Sequence, residues 1–125
     1  MLLIKFITKI IFGVLFVAAG ANHFVNPKFY LDIMPPYLPW HSALVIVSGI
    51  AEVVLGIGLL IPQTSVFAAW GLILLLIAVF PANLHMAMNP ELFPSIPAFA
   101  LWLRLPLQGV LILWAYWYTT TAINQ

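Results

Sequence analysis

Four stretches of the chain, at roughly 4–24, 42–61, 65–87 and 97–118, stay apolar for about twenty residues each and show no strand-like alternation. A helix crossing the hydrocarbon core of a bilayer needs about 20 such residues. The pattern therefore predicts an all-α integral membrane four-helix bundle, built as one domain over residues 1–125. Only the Ile61–Ser65 turn separates the second and third spans; Pro62 stops one helix there, and Thr64 or Ser65 can cap the next. Those two spans are thus predicted to form an antiparallel hairpin. The connections 25–41 and 88–96 are longer, rich in proline, and predicted to lie together at the opposite end. Because irregular backbone does not face lipid, residues 26–40 should lie at the interface or fold over the bundle, with their Tyr and Trp at headgroup level.

Orientation rests on Lys5 and Lys9. The excess of Lys and Arg on the cytoplasmic side puts both termini in the cytoplasm and both long connections outside, and makes Trp114–Tyr118 an inner aromatic belt. Lys28, in the first long connection, points the other way. A second reading of the start is a cleaved signal peptide, with Lys5 and Lys9 before an apolar run and Ala19-Gly20-Ala21 as the cleavage site. Cleavage there would leave three spans and strand Asn22 and His23 at a free terminus.

A weak repeat runs through the chain. The first span ends in Ala21-Asn22-His23 and then Asn26-Pro27; the third ends in Ala82-Asn83, His85 and then Asn89-Pro90. Each half reads as a helix, an Asn-Pro turn, prolines, and a helix carrying one charge. Two helical hairpins in a parallel pseudo-repeat would place a binding site between the halves. The alternative is that Asn and Pro merely punctuate helix ends.

Composition narrows the function. The chain is 65% hydrophobic and 6% charged with a mean hydropathy of +1.15, whereas soluble domains carry roughly a quarter charged residues. The lipid bilayer is the first partner, and with a net charge of +1 and no basic run, nucleic acid is excluded. The absence of cysteine removes disulfides, thiolate metal sites and dithiol exchange, so redox chemistry would need a cofactor, a substrate or another subunit.

The polar residues within the spans gather near the long-loop end. Asn22, His23, Asn83 and His85 close their helices there, and Pro81 precedes the last two. Arg104 lies about 10 Å and Gln108 about 16 Å into the fourth span, with Glu52 similarly deep in the second. Ser48, Gly49 and Gly56 share a face with Glu52 and make a small-residue stripe that lets another helix approach. Glu52 and Arg104 are opposite charges at matching depth and are expected to pair, either as a structural ion pair or as part of a cavity lining. Asn83 and Gln108 read equally as interhelical hydrogen-bonding groups. Pro81 is expected to distort the third span and let Asn83 turn toward Arg104 and Gln108, while His85 reaches the rim near His23. No metal site is predicted, and haem between His23 and His85 ranks low because two histidines at one level are a weak signal. His41 reads as interfacial, and Met86 and Met88 as packing.

The series AGANHF (19–24), IMPPYLPW (33–40), SGIAEVVLGIGLLIPQT (48–64), FPANLHMA (80–87) and LWLRLPLQ (101–108) resembles the DoxX family of small four-helix membrane proteins. The resemblance implies a cytoplasmic-membrane protein loosely associated with quinone-linked oxidoreductases, with the family's positions falling on His23, Glu52, Asn83, Arg104 and Gln108.

The leading expectation is therefore a membrane redox accessory, a subunit with no redox centre of its own. It would bind a quinone or similar apolar ring in the outer half of the bundle through His23, Glu52, Asn83, His85, Arg104 and Gln108, with a redox partner subunit completing any oxidoreduction. The alternative is a non-enzymatic lipid- or partner-binding scaffold. A small transporter comes third, since four short helices leave little room for alternating access unless the chain forms a homo-oligomer.

Overall fold

The structure is a computed structural model, and it describes residues 2–119. Among these residues six α-helices and one 3-10 turn follow in order: α1 Leu2–Val25, α2 Pro27–Asp32, α3 His41–Leu60, α4 Ser65–Ala78, α5 Phe80–Met88, the 3-10 turn Pro90–Leu92, and α6 Ala98–Trp117. Four helical segments are long and apolar enough to cross a bilayer: Leu2–Val25, His41–Leu60, Ser65–Met88 and Ala98–Trp117. They match the four apolar stretches of the sequence to within a few residues. Large apolar side chains such as Leu3, Phe67, Leu74 and Leu113 are mostly exposed along them. A water-soluble domain would bury such surface; here it is the lipid-facing coat of a membrane protein.

Glycine sets the closest helix contact. Gly13 and Gly20 on α1 stand seven residues apart, as do Gly49 and Gly56 on α3. The helices run antiparallel with these glycines opposed. A Cβ on Gly20 would come within 2.7 Å of the Gly49 carbonyl oxygen, and one on Gly56 within 2.8 Å of the Gly13 carbonyl oxygen. In lipid, where burying apolar surface drives little helix association, such backbone approach supplies the van der Waals contact that joins helices. The sequence shows small residues beside both Glu52 on α3 and His23 on α1, where Gly20 and Ala19 precede the histidine by three and four positions; the structure shows that these two faces pack on each other.

The remaining helices close the bundle at both ends. At the turn end, Lys9 Nζ donates to Ser65 Oγ at 3.2 Å, and Tyr118 Oη donates to Thr8 Oγ1 at 2.7 Å, tying the starts of α1 and α4 to the end of α6. Phe12 packs edge-on against Trp114, with ring centroids 4.6 Å apart. At the loop end, Phe29, Tyr30 and Ile33 of the first connection share one apolar cluster with Met86, Phe93 and Leu101 of the second half. Both long connections therefore lie at the same end, as the short Ile61–Ser65 turn requires.

The third span is broken. Val79 separates α4 from α5, and Pro81, lacking a donor N–H, occupies the first turn of the new helix, where that loss costs least. The order long helix, Asn-Pro helical turn, long helix recurs in the two halves. Asn26 and Asn89, each just before a proline, hold nearly the same backbone conformation, φ −126°, ψ 61° and φ −132°, ψ 58°.

Candidate functional site

Counting back from the two Asn-Pro pairs corrects the sequence alignment of the halves. Four residues before Asn26 stands Asn22, and four before Asn89 stands His85; each receives its asparagine's side-chain amide, Asn26 Nδ2 donating to Asn22 Oδ1 at 2.7 Å and Asn89 Nδ2 to the His85 carbonyl oxygen at 2.9 Å. Three residues before them stand His23 and Met86, both buried. The two histidines are not counterparts. His85 contacts Asn89 and the edge of Phe93, and among the described residues no contact joins it to His23. His85 is engaged locally, by the helical turn after Met88, rather than by His23.

His23 is 6% exposed and occupies the last turn of α1, beside the Gly20–Gly49 contact. That close approach brings its ring against α3. Nδ1 lies 3.1 Å from the Val45 carbonyl oxygen and 3.3 Å from Ser48 Oγ, whose own hydroxyl donates to the same carbonyl at 3.1 Å. Nε2 lies 3.1 Å from Glu52 Oε2, and the Tyr30 ring covers one side with centroids 3.8 Å apart.

These contacts fix the proton inventory. A carbonyl oxygen can only accept, so Nδ1 carries hydrogen. A neutral ring then presents a bare lone pair from Nε2 to a carboxyl oxygen. Two bare lone pairs at 3.1 Å repel, so the pair is favoured with one proton on it, either as imidazolium with carboxylate or as imidazole with carboxylic acid. The His23–Glu52 dyad is neutral overall in both forms, which suits its place within the spans. The approach is bent, however, and Glu52 Oε2 is a buried oxygen that completes no well-formed hydrogen bond among the described residues. A buried polar atom in that state calls for a specific cause, such as strain, a functional role or a bound water.

A cleft of about 280 Å³ opens onto this dyad, lined by His23, Phe24, Pro27, Leu31, Ser42, Val45 and Ile46. Its walls are apolar except for the imidazole and the Ser42 hydroxyl. Glu52 is not part of the wall, so His23 stands between the carboxyl group and the cleft. A larger and more open hollow of about 600 Å³ lies next to it over Asn22, Asn26 and Lys28.

Three of the other predicted site residues, Asn83, Arg104 and Gln108, form a separate network in the second hairpin, which His85 does not join. Arg104 Nε donates to Asn83 Oδ1 at 3.1 Å, Asn83 Nδ2 donates to Gln108 Oε1 at 2.6 Å, and Gln108 Nε2 donates to the Leu76 carbonyl oxygen. Asn83 thus meets both partners that the distortion at Pro81 was expected to offer. The acceptor for Gln108 lies in the last turn of α4, just ahead of the break, where helical carbonyls lose their usual donors.

The predicted Glu52–Arg104 pair does not form. Glu52 pairs with His23, and Arg104 lies exposed on α6 with Asn83 as its partner. Depth matches for the two charges, but α3 turns its polar face to α1 because the glycine stripe docks there. Nor do the six candidate residues converge in one cavity: His23 and Glu52 belong to the first hairpin, Asn83, Arg104 and Gln108 to the second. Among the described residues no group of three or more His, Asp or Glu side chains gathers in a way that could hold a metal ion.

Fold and site together define a four-span helical membrane protein with a buried histidine–carboxyl pair beneath a loop-end cleft. The chain belongs to the family described as Domain of unknown function (DUF8561), whose family model matches residues 12–119. No curated protein and no solved structure matches it.

Proposed function

We propose that this protein is a membrane redox accessory that holds the carbonyl-bearing ring of a quinone, or of a similarly apolar ligand, in the cleft over His23. The observation that carries this reading is that one buried imidazole both lines an apolar cleft and contacts a buried carboxyl group. Small-molecule sites are built this way, mostly from apolar wall with a few placed polar groups. The hydroxyl of Ser42 would donate to a ligand carbonyl, and the ring of His23, its Nδ1–H held by the Val45 carbonyl oxygen, would form the polar part of the wall against the ligand. Glu52, behind the ring, would exchange the dyad's single proton as ligand charge changes. The resemblance to the DoxX family supports the association with quinone-linked oxidoreductases. The chain contributes binding and proton handling, and electrons would pass through a partner subunit. Lys5 and Lys9 support a cytoplasmic-membrane protein with its loop end outside and both termini in the cytoplasm.

The second reading, a scaffold, is favoured by the Arg104–Asn83–Gln108 relay, which closes interhelical bonds within one hairpin and needs no ligand to complete its amides. Mass spectrometry of lipids retained after gentle purification separates the readings. Enrichment of quinone relative to the surrounding membrane supports the ligand-binding reading; equal proportions support the scaffold, and a Soret band in the visible spectrum would overturn both in favour of haem.

A further inference from the structure

Arg104 is a cation on the lipid-facing surface of a membrane span. It lies six residues beyond Ala98, where α6 begins, about 9 Å along the helix axis. Charged side chains at such depth ordinarily face the bundle interior or pair with an opposite charge. Here the side chain is exposed, and among the described residues only its Nε is engaged, by Asn83 Oδ1. The two terminal nitrogens of the guanidinium, with four N–H donors, meet no acceptor among those residues.

The side chain is also held in place. Asn83 is fixed by Gln108, which is 5% exposed and anchored on the Leu76 carbonyl oxygen. A relay of amides running from the backbone of α4 to the Nε edge leaves the opposite edge of the planar fork directed outward. Such a fork matches the paired oxygens of a phosphate or carboxylate. Its level selects between them. Phe99 and Trp102 are exposed on the same helix, Trp102 at 52%. Aromatic rings of this kind sit at headgroup depth, and Arg104 is about 3 Å further along the axis than Trp102. A long cationic side chain reaches back across that distance toward the interface.

We propose that Arg104, oriented by Asn83 and Gln108, is a phospholipid site that binds the phosphodiester of one lipid in the loop-end leaflet. It is independent of the His23 cleft and requires no ligand there.

Native mass spectrometry of the detergent-solubilised protein, titrated with phosphatidylglycerol, phosphatidylcholine and diacylglycerol of identical acyl chains, tests it. Both phospholipids should bind one per chain, and diacylglycerol at least about tenfold more weakly, a difference of about 1.4 kcal/mol. Arg104→Gln should lose the phospholipid preference, and Lys28→Gln, which removes an exposed cation elsewhere at the loop end, should keep it. If Arg104→Gln does not fold, Arg104→Lys decides: it retains the charge but cannot hold Asn83 while spanning two phosphate oxygens, so binding should fall by about tenfold. Equal binding of diacylglycerol, or unchanged phospholipid binding in the folded variant, overturns the proposal. Displacement of the lipid by millimolar inorganic phosphate would make this a free-phosphate site, and a dimer lost in the Arg104 variants would make the counter-charge a carboxylate of a second copy; either overturns the lipid assignment.

Discussion

A methyl group on Gly49 would lie 2.8 Å from Cβ of His23 and 3.0 Å from its Nδ1. The absence of a side chain at position 49 is therefore what lets the imidazole pack closely against α3, in reach of the Val45 carbonyl and of Glu52. Helix packing and site geometry are here the same contact.

Gly49→Ala should consequently do more than strain the helix pair. Overpacking typically costs about 1–3 kcal/mol, and the relief available is a shift of His23 away from Glu52. Gly109→Ala is the control, because a Cβ there has nothing within 4 Å; in a helix interior that change stabilises by about 0.5–1 kcal/mol. Thermal unfolding in detergent should rank Gly109→Ala at or above the native chain and Gly49→Ala clearly below it. Equal melting of the two variants would contradict the close α1–α3 docking.

His23 and Glu52 should be energetically coupled. Removing either leaves a buried polar atom facing no partner, at about 1–3 kcal/mol. Removing both leaves an apolar seam. His23→Leu and Glu52→Leu should each destabilise, and the double variant should fall short of their sum by more than about 1 kcal/mol; independent sites add to within about 0.3–0.5 kcal/mol. A cycle of chemical denaturation midpoints reads this directly, and additivity would show that the pair is not formed.

Asn83→Leu should act on the second hairpin alone. It strips Gln108 Oε1 and Arg104 Nε of their partners together, and about 2 kcal/mol of stability should go with them. Ligand retained over His23 should not change. Loss of the ligand in a variant that still folds would show that the two networks work as one site.

The two long connections should share one side of the membrane. Lys28 and Glu91 are both exposed at the loop end, and the chain contains no cysteine. Single cysteines at those positions should react alike with an impermeant thiol reagent, from outside if Lys5 and Lys9 mark the cytoplasmic end. Reaction at one and protection at the other would break the four-span topology.

The spans and their order were legible because bilayer thickness imposes an element length that twenty apolar residues satisfy in only one way. The distortion at Pro81 and the meeting of Asn83 with Arg104 and Gln108 were also legible, since both follow from helix geometry over a few turns. Partner choice between distant helices was not. Glu52 and Arg104 match in depth, but depth does not say which way a helix faces, and that was decided by Gly13 and Gly20, whose seven-residue spacing on α1 complements Gly49 and Gly56. Reading both glycine pairs together is the signal that would have brought His23 to Glu52. The Asn-Pro repeat misled in a smaller way: matching Ala-Asn to Ala-Asn aligned the histidines, whereas counting from the prolines puts Met86 where His23 lies.

Calorimetric titration of the detergent-solubilised protein with a short-chain quinone tests the central claim, that the cleft over the His23–Glu52 dyad is the ligand site. The native chain should bind one equivalent. His23→Leu should raise Kd at least about tenfold, and Asn83→Leu should leave it within about twofold. An unchanged Kd in His23→Leu, or no binding by the native chain, would contradict the account.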